Sequence, residues 1–192
     1  MSVRPRSRTL GALLDEFASA HPHAEAVVFR DQRLTYATLR ARVDEFARAL
    51  LAVGVIRGDR VAVLLPNRPE WLIAALAIAK IGGIVTAIST FSTPRELAWT
   101  LDHSEATALI TVDAFRGRDY LTALHGLCPE LGGSATGALR SARLPHLRTV
   151  VCLDERRHDG VFRIDAFIAG ASKTSPSALA TAQGAVTPTD VC

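Results

Sequence analysis

The run Leu131 to Arg143, LGGSATGALRSAR, has the residue types of a phosphate cradle: glycines that let backbone amides approach an anion, hydroxyls and arginines. Gly132 and Gly137 have the spacing of the first half of GxxxxGK[ST], but Ala138 and Leu139 stand where the Lys and the hydroxyl are needed. Without those two groups nothing offsets the charge of the outer phosphates or holds Mg²⁺. HGLCPE rather than a buried strand precedes the run, and Pro145 follows it closely, so a surface connection is expected. Asp102-His103-Ser104 contains the residue types of a hydrolase triad. Neighbours on a helix point about 100° apart and a triad must converge, so these three are expected to be helix-end residues. The six histidines have no ligand spacing such as HExxH, and His21-Pro22-His23 predicts a loop. The adjacent acids Asp15-Glu16 and Asp44-Glu45 diverge on a helix surface and are expected to be solvated. The dinucleotide spacing GxGxxG is absent.

The elements that would have to position any such groups are legible in the pattern. Residues 9 to 20 predict a helix with Leu10, Leu13, Leu14 and Phe17 on one face, and EAVVFRDQRLTY predicts two short strands around Asp31 and Gln32. Thr35 caps a long helix with Tyr36, Leu39, Val43, Phe46, Ala47 and Leu50 at helical spacing, and Gly54 stops it. VAVLL, Val61 to Leu65, is apolar without alternation, as in a parallel strand covered on both faces. Asn67 with Glu70 three residues on predicts a capping box, and the helix it opens, Trp71 to Ala79, is apolar nearly all round and must lie deep. Strand Ile84 to Ile88, the loop STFS, and a helix opened by Thr93, Pro94 and Glu96 repeat the pattern. ATALITV, a helix from about Arg118 to Leu127, TVVCL and a short helix near Arg163 to Ala169 complete it. Alternating strands and helices with right-handed crossovers predict an α/β fold with a largely parallel sheet flanked by helices.

Composition narrows the class. The 192 residues, 48% hydrophobic and 21% charged, suffice for one core. The net charge of +3 is spread over arginines, with small clusters only at Arg4, Arg6, Arg8 and at Arg156, Arg157. No basic stripe with interleaved aromatics is present, so no nucleic-acid partner is expected. Cys128, Cys152 and Cys192 are odd in number and without metal or redox spacing, which points to a reducing cytoplasm. The longest apolar stretch, Trp71 to Ile88, holds Lys80 at its centre, a cost of about 2.5 to 3.5 kcal/mol in a bilayer. It splits into helix, turn and strand, and no membrane span is expected.

Three stretches then carry a resemblance. RLTYATLRARVDEFARALLAVGVIRGDRVAVLLPN, Arg33 to Asn67, resembles the opening of the AMP-forming acyl-CoA synthetases of the adenylate-forming superfamily; its LTYATL is similar to LTYxEL, with Thr38 in place of the Glu. AIAKIGGIVTAIS, Ala77 to Ser89, resembles KAGxxxVPL, with Lys80 and Gly82 kept and Ala87 in place of the Pro. TPRELAWTLDHSEATALIT and LPHLRTVVCLDE resemble the elements that follow.

The resemblance implies the N-terminal subdomain of the adenylate-forming fold over residues 1–170, with 171–192 a linker toward a phosphate loop of the form YTSGSTGxPKG that the 192 residues do not contain. It further implies ATP, Mg²⁺ and coenzyme A as the full-length family's cofactors and a fatty or related carboxylic acid as substrate. On this reading the piece holds no catalytic or metal-binding residue, is inactive alone, binds none of the cofactors tightly, and can self-associate through an exposed face. Ser89, Thr90 and Phe91 are the residues expected near coenzyme A. The competing expectation is a noncatalytic binding or interaction module on the same scaffold; an unrelated nucleotide-binding protein would need a phosphate loop.

Overall fold

The computed structural model describes residues 8–192, so Arg4 and Arg6 of the N-terminal basic cluster lie outside the described residues. The elements run α1 (Leu10–Ala20), β1 (Glu25–Phe29), β2 (Gln32–Thr35), α2 (Tyr36–Ala52), β3 (Arg60–Leu64), α3 (Pro69–Lys80), β4 (Ile84–Ala87), α4 (Pro94–His103) and β5 (Ala106–Thr111). There follow β6 (Ala114–Phe115), β7 (Arg118–Asp119), α5 (Tyr120–Leu127), β8 (Thr149–Cys152), β9 (Phe162–Arg163), α6 (Ile164–Ala169) and α7 (Pro176–Gly184). Short 3₁₀ turns occupy Pro129–Gly133 and Gly170–Lys173.

The main sheet has the order β4-β3-β5-β8-β9, and every pair in it is parallel. All six residues of β5 are buried, as an unalternating apolar strand at the centre of such a sheet must be. From β3 the chain crosses outward to β4, then returns past β3 to β5. Right-handed crossovers in opposite directions place α3 and α4 on opposite faces. Accordingly α3 packs with α1 and α2, and α4 packs with α5. The loops leaving the C-terminal ends of β3 and β4 therefore part, one to each face, and open a crevice between them.

Local signals set most boundaries. Thr35 accepts from the Thr38 amide at the start of α2. Thr93 and Glu96 form a reciprocal capping box with Pro94 at the first helical position. The expected Asn67–Glu70 box does not form. Pro69 starts α3 two residues after Asn67, so Glu70 falls in the first turn and instead accepts from Arg68 Nε at 2.7 Å. α1 is also rotated from its expected face. Gly11, Leu14 and Ala18 are buried, while Leu10 and Phe17 are exposed and Phe17 stacks on Tyr36 at 5.5 Å.

The reason for that rotation is Lys80, which is 2% exposed. Its Nζ donates to Asp15 Oδ1 at 2.8 Å and to Asp44 Oδ1 at 2.5 Å, and Gln183 Nε2 donates to Asp15 Oδ2 at 2.7 Å. Gly11 lies over the Lys80 stem, where a Cβ would come within 2.9 Å of Cγ. Asp15 and Asp44 are thus turned inward while their neighbours Glu16 and Glu45 stay exposed, and they neutralise a cation that burial would otherwise make costly.

The tail, expected as a linker over 171–192, contains a helix, α7. Ser175 caps α7 by accepting from the Ala178 amide, and Leu179 is buried against the core. Further on, Arg57 Nε and Nη2 donate to the two oxygens of Asp190 at 2.8 and 2.6 Å. Those bonds, with two more from Thr187, hold the Asp190 carboxyl well below the usual range.

Cys128 and Cys152 are buried and Cys192 is exposed. Burial pushes the Cys128 thiol up and the Cys152 thiol up to about 11, so neither is a nucleophile at neutral pH. A chromogenic disulfide reagent should therefore titrate Cys192 alone in the folded chain and all three thiols in denaturant. Rapid labelling of Cys152 in the folded state would contradict the packing of β8.

Candidate functional site

The crevice at the ends of β3 and β4 is an open cleft of about 870 Å³. Leu65, Pro66, Asn67 and Arg68 enter it from the end of β3, and Ile88, Ser89, Thr90 and Phe91 from the end of β4. The remaining lining comes from the start of α3, with Pro69, Glu70 and Trp71, and from two hairpins, with Phe29, Arg30 and Gln32 at the β1–β2 turn and Phe115 and Arg116 at the β6–β7 turn.

The loop carrying Ser89, Thr90 and Phe91 is fixed from both sides. The Ser92 amide donates to the Ser89 carbonyl at 3.0 Å, and the Phe91 amide to Ser89 Oγ at 3.2 Å. Buried Tyr120 donates its hydroxyl to the Thr90 carbonyl at 2.7 Å, and burial raises its pKa, keeping that donor protonated. At the far end, hydrogen bonds from the Thr93 amide and hydroxyl hold the Glu96 carboxyl below its ordinary pKa, so the cap stays ionised. Phe91 is left 61% exposed on a braced loop.

Three arginines face this cleft, and they are not equivalent. Arg68 is neutralised by Glu70. Burial works to raise the Glu70 carboxyl, but hydrogen bonds from Arg68 and from its own backbone outweigh it and hold the pKa low. Among the described residues Arg30 and Arg116 have no carboxylate partner; each guanidinium instead lies 5.3 Å from the ring centre of the Phe before it. Paired aromatic faces and uncompensated guanidinium edges suit an anionic ligand with a flat ring, such as a nucleotide.

Sequence reasoning placed Ser89, Thr90 and Phe91 at a strand end, and all three line the cleft. It missed Arg30 and Arg116. The dipeptide Phe-Arg occurs at both turns, Phe29-Arg30 and Phe115-Arg116, but also at Phe162-Arg163 in β9, away from the cleft, so it does not by itself mark the site.

The other candidates lie elsewhere. Pro129–Gly133 is a 3₁₀ turn following α5, and Gly132–Thr136 line a smaller hollow with residues 157–161. No strand leads into this run. His103 stacks on Trp99 at 4.6 Å and the Ser104 hydroxyl is directed to the Leu101 carbonyl, so the apparent triad does not converge.

The profile of the AMP-binding enzymes matches residues 14–183. The chain belongs to the AMP-binding enzyme family. Among similar proteins, the Putative acyl-CoA synthetase YngI of Bacillus subtilis is 36% identical over 159 residues, which is 82% of this chain and 29% of that protein. The human Medium-chain acyl-CoA ligase ACSF2, mitochondrial, is 36% identical over 150 residues, 77% of this chain and 24% of that protein. The chain thus spans less than a third of the length of these curated relatives. In fold, it is similar to the anthranilate CoA ligase AuaEII crystallised with anthranoyl-AMP, with a TM-score of 0.71 at 20% identity, covering 86% of this chain and 29% of that one. This AMP-binding family member has no described helix long and apolar enough to cross a membrane.

Proposed function

We propose that the chain is the N-terminal α/β part of an ATP-dependent acyl-CoA synthetase, one that joins a fatty or related carboxylic acid to coenzyme A through an acyl-adenylate. Within it, the cleft between the ends of β3 and β4 receives the nucleotide end of coenzyme A. The observation that carries this reading is the meeting of the Ser89–Phe91 loop with Arg116, which has no carboxylate partner among the described residues, in a crevice at the C-terminal ends of parallel strands. The names of the curated relatives support the reaction class.

The residues present fit one cofactor better than the other. Hydroxyls, aromatic faces and free guanidinium edges suit the nucleotide of coenzyme A. For the ATP phosphates the 192 residues contain no run of the form YTSGSTGxPKG, and Gly132 to Gly137 lack its Lys. Charge stabilisation at the reacting phosphate, usually the largest catalytic contribution, is therefore assigned to no residue here. Coenzyme A, when bound in such an enzyme, supplies the thiol that accepts the acyl group. The chain's own residues position and neutralise the nucleotide end.

Two measurements test the proposal. Calorimetric titration with coenzyme A should show weak binding that Arg116→Gln reduces about tenfold, the worth of one charge-assisted contact. ATP–pyrophosphate exchange with a panel of fatty and aromatic acids should be absent from the 192-residue chain; robust exchange would place the reacting site among residues assigned here to scaffold.

A further inference from the structure

We infer that a second hollow, where α1, α2 and α7 meet above Lys80, is a binding site for a small phosphate monoester, held by Arg40, Arg48 and Lys80. It shares no lining residue with the cleft at the ends of β3 and β4 and stands independently of the function proposed for that cleft.

The hollow is open and holds about 450 Å³. Arg40, Asp44 and Arg48 all line it, one turn apart along a single ridge of α2, the spacing at which opposite charges on a helix ordinarily pair. Here they do not pair, because Asp44 is turned to the Lys80 ammonium at 2.5 Å. Arg40 and Arg48 are consequently left without a carboxylate partner among the described residues, although both are partly buried. Guanidinium groups held in this way keep their N–H forks for an anion that enters from outside.

Lys80 supplies the floor. An ammonium has three N–H donors, and Lys80, 2% exposed, uses two of them on Asp15 and Asp44. The third has no acceptor among the described residues, and a buried donor left unmatched is costly. Gln183 Nε2 donates to Asp15 Oδ2 at 2.7 Å and fixes that carboxylate from the α7 side. Three cationic side chains against two carboxylates leave an excess of positive charge around the space. A phosphate has oxygens enough to meet the free ammonium proton and both guanidinium forks together, whereas a carboxylate has two oxygens for the three. The hollow is larger than one phosphate, and Pro176 and Leu179 add apolar wall, which suits a monoester with a short apolar substituent. A ligand seated there ties α2 and α3 to α7 and holds the tail against the body of the fold.

The test is calorimetric titration of the 192-residue chain with inorganic phosphate, propyl phosphate and acetate at constant ionic strength. Propyl phosphate should bind about fourfold more tightly than phosphate, the worth of roughly one buried CH₂ group, and acetate about tenfold more weakly. Arg40→Gln and Arg48→Gln should each weaken propyl phosphate about tenfold. Arg42→Gln, about 200° round the same helix from Arg40, should leave it unchanged, and equal melting temperatures without ligand would show that these variants are folded. Asp44→Asn should instead tighten binding about threefold by removing a partly exposed negative charge, a gain that unfolding cannot mimic. Hydrogen exchange should show the amides of residues 176–184 slowed by saturating propyl phosphate. If both arginine variants bind as the wild-type chain does, if Asp44→Asn weakens binding, or if those amides exchange at an unchanged rate, the anion sits elsewhere and the inference falls. Acetate as tight as phosphate, or equal displacement by chloride, would reduce the hollow to bulk charge and overturn it too. Propyl phosphate no tighter than phosphate would overturn the monoester reading, and no binding of any of the three would overturn the whole; none of these outcomes bears on the cleft.

Discussion

The double substitution Asp15→Ala with Asp44→Ala is expected to lower the folding stability by about 3–5 kcal/mol, the cost of leaving a buried charge without its partner. For a chain of this size that corresponds to a melting temperature roughly 10 °C lower. The magnitude follows from the asymmetry of the site. Lys80 is 2% exposed, whereas the two aspartates are each 34% exposed. Water can still reach the carboxylates but not the ammonium. Removing the acids therefore strands the cation, and Ala adds no helix-propensity penalty that might mimic the effect. Lys80→Met introduced into the doubly substituted chain should recover most of the loss, because an unbranched apolar side chain of similar length then fills the space with no charge to solvate. A triple variant no more stable than the double one would rule out the stranded charge as the cause.

Gly160→Ala is expected to cost about 3 kcal/mol or more, combining left-handed backbone strain with overpacking. A Cβ at this position would stand 1.9 Å from the Leu131 carbonyl oxygen, and Gly160 has φ 75°. Both sides of that contact are backbone, so no side chain can turn away to relieve it. Gly58→Ala provides the comparison, since Gly58 has φ 86° and nothing within 4 Å of the added carbon. It should cost only the strain, about 1 kcal/mol. Chemical denaturation of the two variants measures the difference. Equal losses would mean that residues 157–161 do not lie against the 3₁₀ turn at Pro129–Gly133 as described.

Much of the sheet was legible because its signals are local. Val61 to Leu65 is apolar without alternation, and Thr93-Pro94-Glu96 opens a helix whose reciprocal bonds span only three residues. The Lys80 cluster was not legible for the opposite reason: its partners are 65 and 36 residues away. That adjacent acids diverge on a helix was sound. The divergence turns one member of each pair inward, so Asp15 and Asp44 meet Lys80 while Glu16 and Glu45 stay exposed. The same holds for the tail, where one buried Leu179 and polar ties through Gln183 and Asp190 hold a segment whose composition is that of a linker.

At the cleft, strand-end logic located Ser89, Thr90 and Phe91. It could not reveal that two hairpins from distant parts of the chain add Arg30 and Arg116 to the same rim, because nothing in either turn specifies which strand end it will face.

The ties that fasten the tail bear on the order of folding. Gln183 meets Asp15 across 168 residues, and Arg57 meets Asp190 across 133. Closing loops of that length before a scaffold exists is entropically unfavourable, so such contacts form after the sheet has brought their partners together. Interactions absent from the folding transition state act on the rate of escape from the folded state rather than on the rate of reaching it. These few polar bonds therefore act as a latch, closing last and slowing the release of everything assembled before them.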